Sequence, residues 1–124
     1  MNAYTRSRLL TAVKLFNDKE YFECHEVLED IWFDVRDNSR DLYQGLLHAS
    51  VALYHLTKKN NLKGTLIQLK KAEEKLGRLE GTVKEIDLTK LLGQLKRIAE
   101  KIQKKEQPKR LPKIIITLQY YSIV

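Results

Sequence analysis

Apolar and polar positions alternate with a helical period along nearly the whole chain. Leu9, Leu10, Val13 and Phe16 recur at that spacing and predict a first helix from about Tyr4 to Phe16. Asn17 with Glu20 three residues on reads as a capping box that opens a second helix running to about Val35. Asp37, Asn38 and Ser39 form a turn, and Ser39 is placed to cap a third helix reaching about Lys58. Asn60 and Asn61 break the chain before a fourth helix, roughly 62–80, closed by Gly81. Asp87 caps a fifth, roughly 88–105, and Pro108 and Pro112 end it.

Helices four and five each show one apolar stripe, Leu62, Leu66, Leu69 and Leu76 on one and Leu88, Leu91, Leu95, Ile98 and Ile102 on the other. Lysines lie opposite both stripes, and the short joint makes the two helices antiparallel neighbours in a core. The expected fold is therefore all-α: a compact multihelical bundle of about five helices, one domain over residues 1–106. Residues 107–124 form a Pro-flanked, β-prone tail whose end, KIIITLQYYSIV, has no later segment to pair with. Three fates are open to it: an extended arm docked on the bundle, an addition to a neighbour's surface, or disorder.

Composition agrees with helices. The 124 residues include only 2 Pro and 5 Gly, and β-branched residues are few before the tail. No stretch reaches the roughly 18 uncharged apolar residues of a membrane span, and no signal-peptide run follows Met1. A lone Cys24 rules out an internal disulfide and a multi-cysteine zinc site. A cytoplasmic protein is expected. The net charge of +7 is uneven: residues 1–57 hold 6 Lys+Arg against 9 Asp+Glu, residues 58–124 hold 17 against 7. The basic half opens a reading as a nucleic-acid partner, against the plainer one of lysines that solubilise two helices.

The candidate chemistry sits on helices two and three. FECHEVLEDIW, residues 22–32, carries four carboxylates, a histidine, Cys24 and Trp32. Turned on a helical wheel, Glu23, Glu26, Asp30 and Asp34 form a solvent face, and Tyr21, Cys24, Val27, Leu28, Ile31, Trp32 and Val35 an apolar one. Glu29 falls between His25 and Trp32 on one side and Phe22 and Phe33 on the other, which predicts partial burial and an i,i+4 pair with His25. Residues 42–57 contain no charged side chain, so helix three is expected to be central; its polar stripe is Gln44, His48 and His55. Gly45 permits a close neighbour.

Joined, these give a polar cleft of His25, Glu29, Gln44, His48 and His55, with Glu26, Trp32, Arg40, Tyr43 and Tyr54 as rim or support. Such a cluster fixes helix register as a buried network, or moves protons, or holds a divalent metal at His25, Glu29 and His48. No cofactor is predicted. Phosphate-loop, serine-elbow and Cys/His nucleophile patterns are absent from the sequence.

The runs FNDKEYFECHEVLEDIW and YQGLLHASVALYHL, with Asn61, Gly64 and the leucine-rich fourth helix, resemble the bacterial and plastid family called domain of unknown function 309. The resemblance covers roughly residues 10–80, and His25, Glu26, Glu29, Trp32, Gln44, Gly45, His55 and Gly64 match its pattern. His48 stands where many members have Gln, which takes a ligand from the metal version. The resemblance implies a small multihelical intracellular domain and no reaction. The leading reading is a non-enzymatic module that binds a protein or small-molecule partner in the polar cleft. The alternatives are a metal-dependent or acid–base enzyme using His25 and Glu29, and nucleic-acid association through the basic helices.

Overall fold

A computed structural model describes residues 2–117. Five α-helices follow one another: α1 Ala3–Asn17, α2 Tyr21–Asp34, α3 Arg40–Tyr54, α4 Leu62–Gly77 and α5 Leu88–Gln103, with a π-helical turn His55–Lys59 continuing α3. The fold is the expected all-α one. Packing follows chain order, α1 on α2, α2 on α3, α3 on α4 and α4 on α5.

α3 is the centre, as the uncharged run over residues 42–57 predicts. Leu42, Tyr43, Leu46, Ala49, Ala52 and Leu53 are buried along it. At Gly45 α4 packs tightly on α3: a Cβ there would lie 2.5 Å from Leu76 Cδ2. On α1 the predicted Leu9, Val13 and Phe16 are buried, and Leu10 is exposed.

The helix ends depart from expectation in instructive ways. Asn17 does not cap α2; it is the last residue of α1. Lys19 takes a left-handed φ of 66°, and the Glu20 and Lys19 amides donate to the Leu15 and Phe16 carbonyls. That is the paired-bond Schellman motif, with lysine in place of the usual glycine. Glu20 occupies the α2 cap position but makes no side-chain cap bond. Ser39 likewise caps nothing; its amide donates to Asp37 in the turn. α4 stops at Gly77 rather than near residue 80, and Gly81, at φ 85°, lies in the turns beyond it. The Asp87 cap forms as expected, accepting from Lys90, and Asn61, read from sequence only as part of a chain break, caps α4 by accepting from Gly64.

The freed Asn17 holds the tail. Its amide donates to the Ile114 carbonyl at 2.9 Å and accepts from the Ile114 amide at 2.7 Å. Gln94 does the same for Lys113, at 3.1 and 3.0 Å. Ile86 and Ile116 form an antiparallel bridge, and Ile114 is buried. Of the three fates, residues 113–117 take the docked arm; Leu118–Val124 lie outside the described residues. No described helix is long and apolar enough to cross a membrane.

Candidate functional site

α2 divides largely as its wheel predicts. Tyr21, Cys24, Leu28 and Ile31 are buried, Val27, Trp32 and Val35 partly so, and Glu23, Glu26, Asp30 and Asp34 are exposed. Glu29 is the correction. Its side chain is 61% exposed, and Oε2 stands 3.5 Å from His25 Nε2, itself 26% exposed. The aromatics expected to wall it in are themselves outside: Phe22 is 47% and Phe33 66% exposed. The core-facing arc of α2 is narrow, and aromatic character gives no direction by itself.

The pair therefore sits on an open helix surface. Phe22 lies beside it, its ring centroid 5.7 Å from His25 and 5.7 Å from Tyr54. Tyr54 in turn approaches His55 at 6.4 Å, and the Lys59 ammonium lies 5.7 Å from the Tyr54 centroid. A string of rings thus runs from α2 onto the π turn of α3. A hollow of about 160 Å³ opens beside it, lined in part by Phe22, Tyr54 and Lys58. Neither His25 nor Glu29 lines that hollow or the three larger clefts elsewhere.

The expected joining of the two helices' polar groups does not occur. Among the described residues no hydrogen bond or ion pair links His25 or Glu29 to α3. His48 turns to α4, with Nδ1 2.8 Å from Gln68 Oε1. Gln68 was missed from sequence, although it lies three residues after buried Thr65 and four before buried Ala72, at the edge of the core face. Gln44 and His55 are half-buried, and His55 Nδ1 is buried without a partner among the described residues. Tyr43, expected at a rim, is fully buried core. Arg40 is a clasp between α2 and α3: Nε donates to the Trp32 carbonyl at 3.2 Å, and its guanidinium stacks 4.3 Å from the Trp32 ring centroid. No group of three or more His, Cys, Asp or Glu among the described residues is placed to hold a metal ion.

Burial holds the His48 imidazole below its ordinary 6.5, with Lys71 and Lys75 adding to the shift and the Gln68 bond opposing it. A depressed folded pKa means that the unfolded chain takes up the proton first. Stability is thus fully present above about 6.5 and is lost as pH falls below it. Denaturant melts at pH 7.5 and 5.5 are expected to show this loss, and His48→Gln, which keeps a partner for Gln68, to make it smaller. An identical loss in the variant would show that His48 is not its source.

The model of a family described as "Domain of unknown function (DUF309)" matches residues 9–67. Over that segment, a little under half of the chain, the protein is similar to this family. The matched segment takes in most of α1, all of α2 and α3, the π turn and the first part of α4. A curated relative, "Uncharacterized protein YpuF" of Bacillus subtilis (strain 168), is 34% identical over 58 residues, 46% of this chain. The match spans 33% of that relative's length. Much of α4, all of α5 and the docked arm lie outside the matched residues.

Proposed function

We propose that this protein is a non-catalytic binding module and that the outer face of α2 takes a basic segment of a partner protein. One observation carries the reading. Phe22, Glu26, Glu29 and Phe33 stand at i, i+4, i+7 and i+11, so they fall within about 60° of one another on a helix. All four are exposed. They form a stripe of two phenylalanines with two glutamates between them. Residues 20–34 contain six acids and no Lys or Arg, so no cation of this segment offsets the stripe. The fold gains little from exposed aromatics, and such rings concentrate at protein interfaces.

The complementary surface is a segment with two cations between apolar groups. An acid–base enzyme fits less well, because proton transfer is favoured in a walled site that excludes water, and the His25–Glu29 pair has no such walls. The reading also places the protein in the cytoplasm, where a lone thiol stays reduced.

Photo-crosslinking in cells tests it. Benzoylphenylalanine at position 22 or 33 is expected to give one discrete protein adduct, reduced at least fivefold by Glu26→Lys with Glu29→Lys. The same probe at Leu62, which is 46% exposed on α4, should not give that adduct. Absence of an adduct from both α2 positions, or one indifferent to charge reversal, would sink the proposal.

A further inference from the structure

Residues 88–113 hold nine Lys and Arg against two Asp and Glu; the rest of the chain holds fourteen of each. The entire net charge of +7 thus resides in α5 and the segment that follows it. That segment turns back along α5, because Lys105 adopts a left-handed φ of 60° and closes the helix as Lys19 closes α1. A cleft of about 510 Å³ lies between the two.

Five cations line this cleft, Lys90, Arg97 and Lys101 from α5 and Lys109 and Arg110 from the returning segment. No acidic residue lines it, and its apolar contribution comes from Ile98, Pro108 and Leu111. Among the described residues these cations have one ion pair, Lys101 to Glu106 at 3.9 Å. The returning segment is held rather than loose. Gln94, itself in the lining, clamps the Lys113 backbone, and Asn17 clamps Ile114. Pro108 and Pro112 restrict the backbone between. Like charges carried on two walls repel, and a multivalent anion relieves that repulsion; because the backbone is already held, only the exposed side chains remain to be ordered.

We propose that this cleft binds a small anion carrying two or more phosphate groups. Its volume lies within the roughly 300–1,000 Å³ of small-molecule sites. Arg97 and Arg110 supply planar forks suited to phosphate oxygens, and Lys90, Lys101 and Lys109 supply further charge. The apolar floor would seat an organic portion. A single nucleic-acid strand is the poorer occupant, because such grooves stack bases on aromatic rings and, among the described residues, no aromatic side chain lines this one.

Calorimetric titration of the full chain at low salt tests the proposal, with tripolyphosphate, ATP and a single-stranded RNA oligonucleotide as separate probes. One tripolyphosphate or ATP per chain is expected, weakened at least tenfold by Arg97→Gln with Arg110→Gln. Both arginines are exposed, so the variant should melt like the parent. Lys63→Gln with Lys70→Gln, an equal charge change on exposed positions of α4, should leave binding unchanged. Tighter binding of ATP would assign an organic polyphosphate, and equal binding the phosphate groups alone. Failure of both small probes, equal weakening in the two double variants, or binding of RNA alone would overturn it.

Discussion

Gly45→Ala is expected to destabilise the protein, whereas Gly93→Ala is expected to stabilise it. Both glycines lie inside helices, where alanine gains about 0.5–1 kcal/mol through backbone entropy. Space decides the sign. At Gly45 the added carbon would stand 2.5 and 2.6 Å from Leu76 Cδ2 and Cγ and 3.2 Å from Lys75 Cβ. Leu76 is fully buried, so it can withdraw only by displacing its neighbours in the core. Overpacking costs about 1–3 kcal/mol, and contacts as short as these belong to the upper part of that range, so the net loss should be about 1–2 kcal/mol. At Gly93 nothing lies within 4 Å, and the propensity gain stands alone. Denaturant midpoints at unchanged slope measure both. A Gly45→Ala protein as stable as the parent would mean that α3 and α4 do not approach as closely as described.

Cys24 should be nearly inert in the folded protein. Its thiol is 1% exposed, Sγ lies 3.2 Å from the Ala12 carbonyl, and burial pushes its pKa from 9.0 up to about 12. Near pH 8 that leaves roughly a thousandth of the usual thiolate, before steric exclusion is counted. Labelling with a disulfide reagent is therefore expected to be at least about a thousandfold slower in native buffer than in denaturant, and to follow chain opening. Rapid stoichiometric labelling of native protein would refute this placement. It would also reopen Cys24 as part of the α2 surface.

How much of this was legible in the sequence varies with the kind of signal. The five helices were, because a stripe such as Leu88, Leu91, Leu95, Ile98 and Ile102 has one helical solution, and all five side chains are buried. The central place of α3 followed from the uncharged run over residues 42–57. Caps were less legible, since Asn17 and Glu20 satisfy the capping-box spacing while Lys19 imposes a left-handed stop. That conformation is rare for lysine, and no local pattern announced it. The Asn17–Ile114 clamp joins positions 97 apart, beyond any periodicity.

The candidate site divides the same way. A wheel places residues relative to one helix, and it assigned Glu23, Glu26, Asp30 and Asp34 to solvent. It misplaces Glu29, because Phe22 and Phe33 belong to the exposed face and do not wall it in. It could not tell that His48 would meet Gln68 on α4 rather than α2, since the rotation of one helix against another is set by packing. Gly45 marked a close contact of α3, but not the partner.

The His25–Glu29 pair is either a strut that the fold requires or a surface free for another molecule. Thermal and denaturant unfolding of Glu29→Gln separates the two with purified protein alone. An exposed pair at 3.5 Å contributes little, so stability should stay within about 0.5 kcal/mol of the parent. A loss of about 1–3 kcal/mol would show Glu29 buried and hydrogen-bonded in solution, and α2 would then have no acidic stripe to offer.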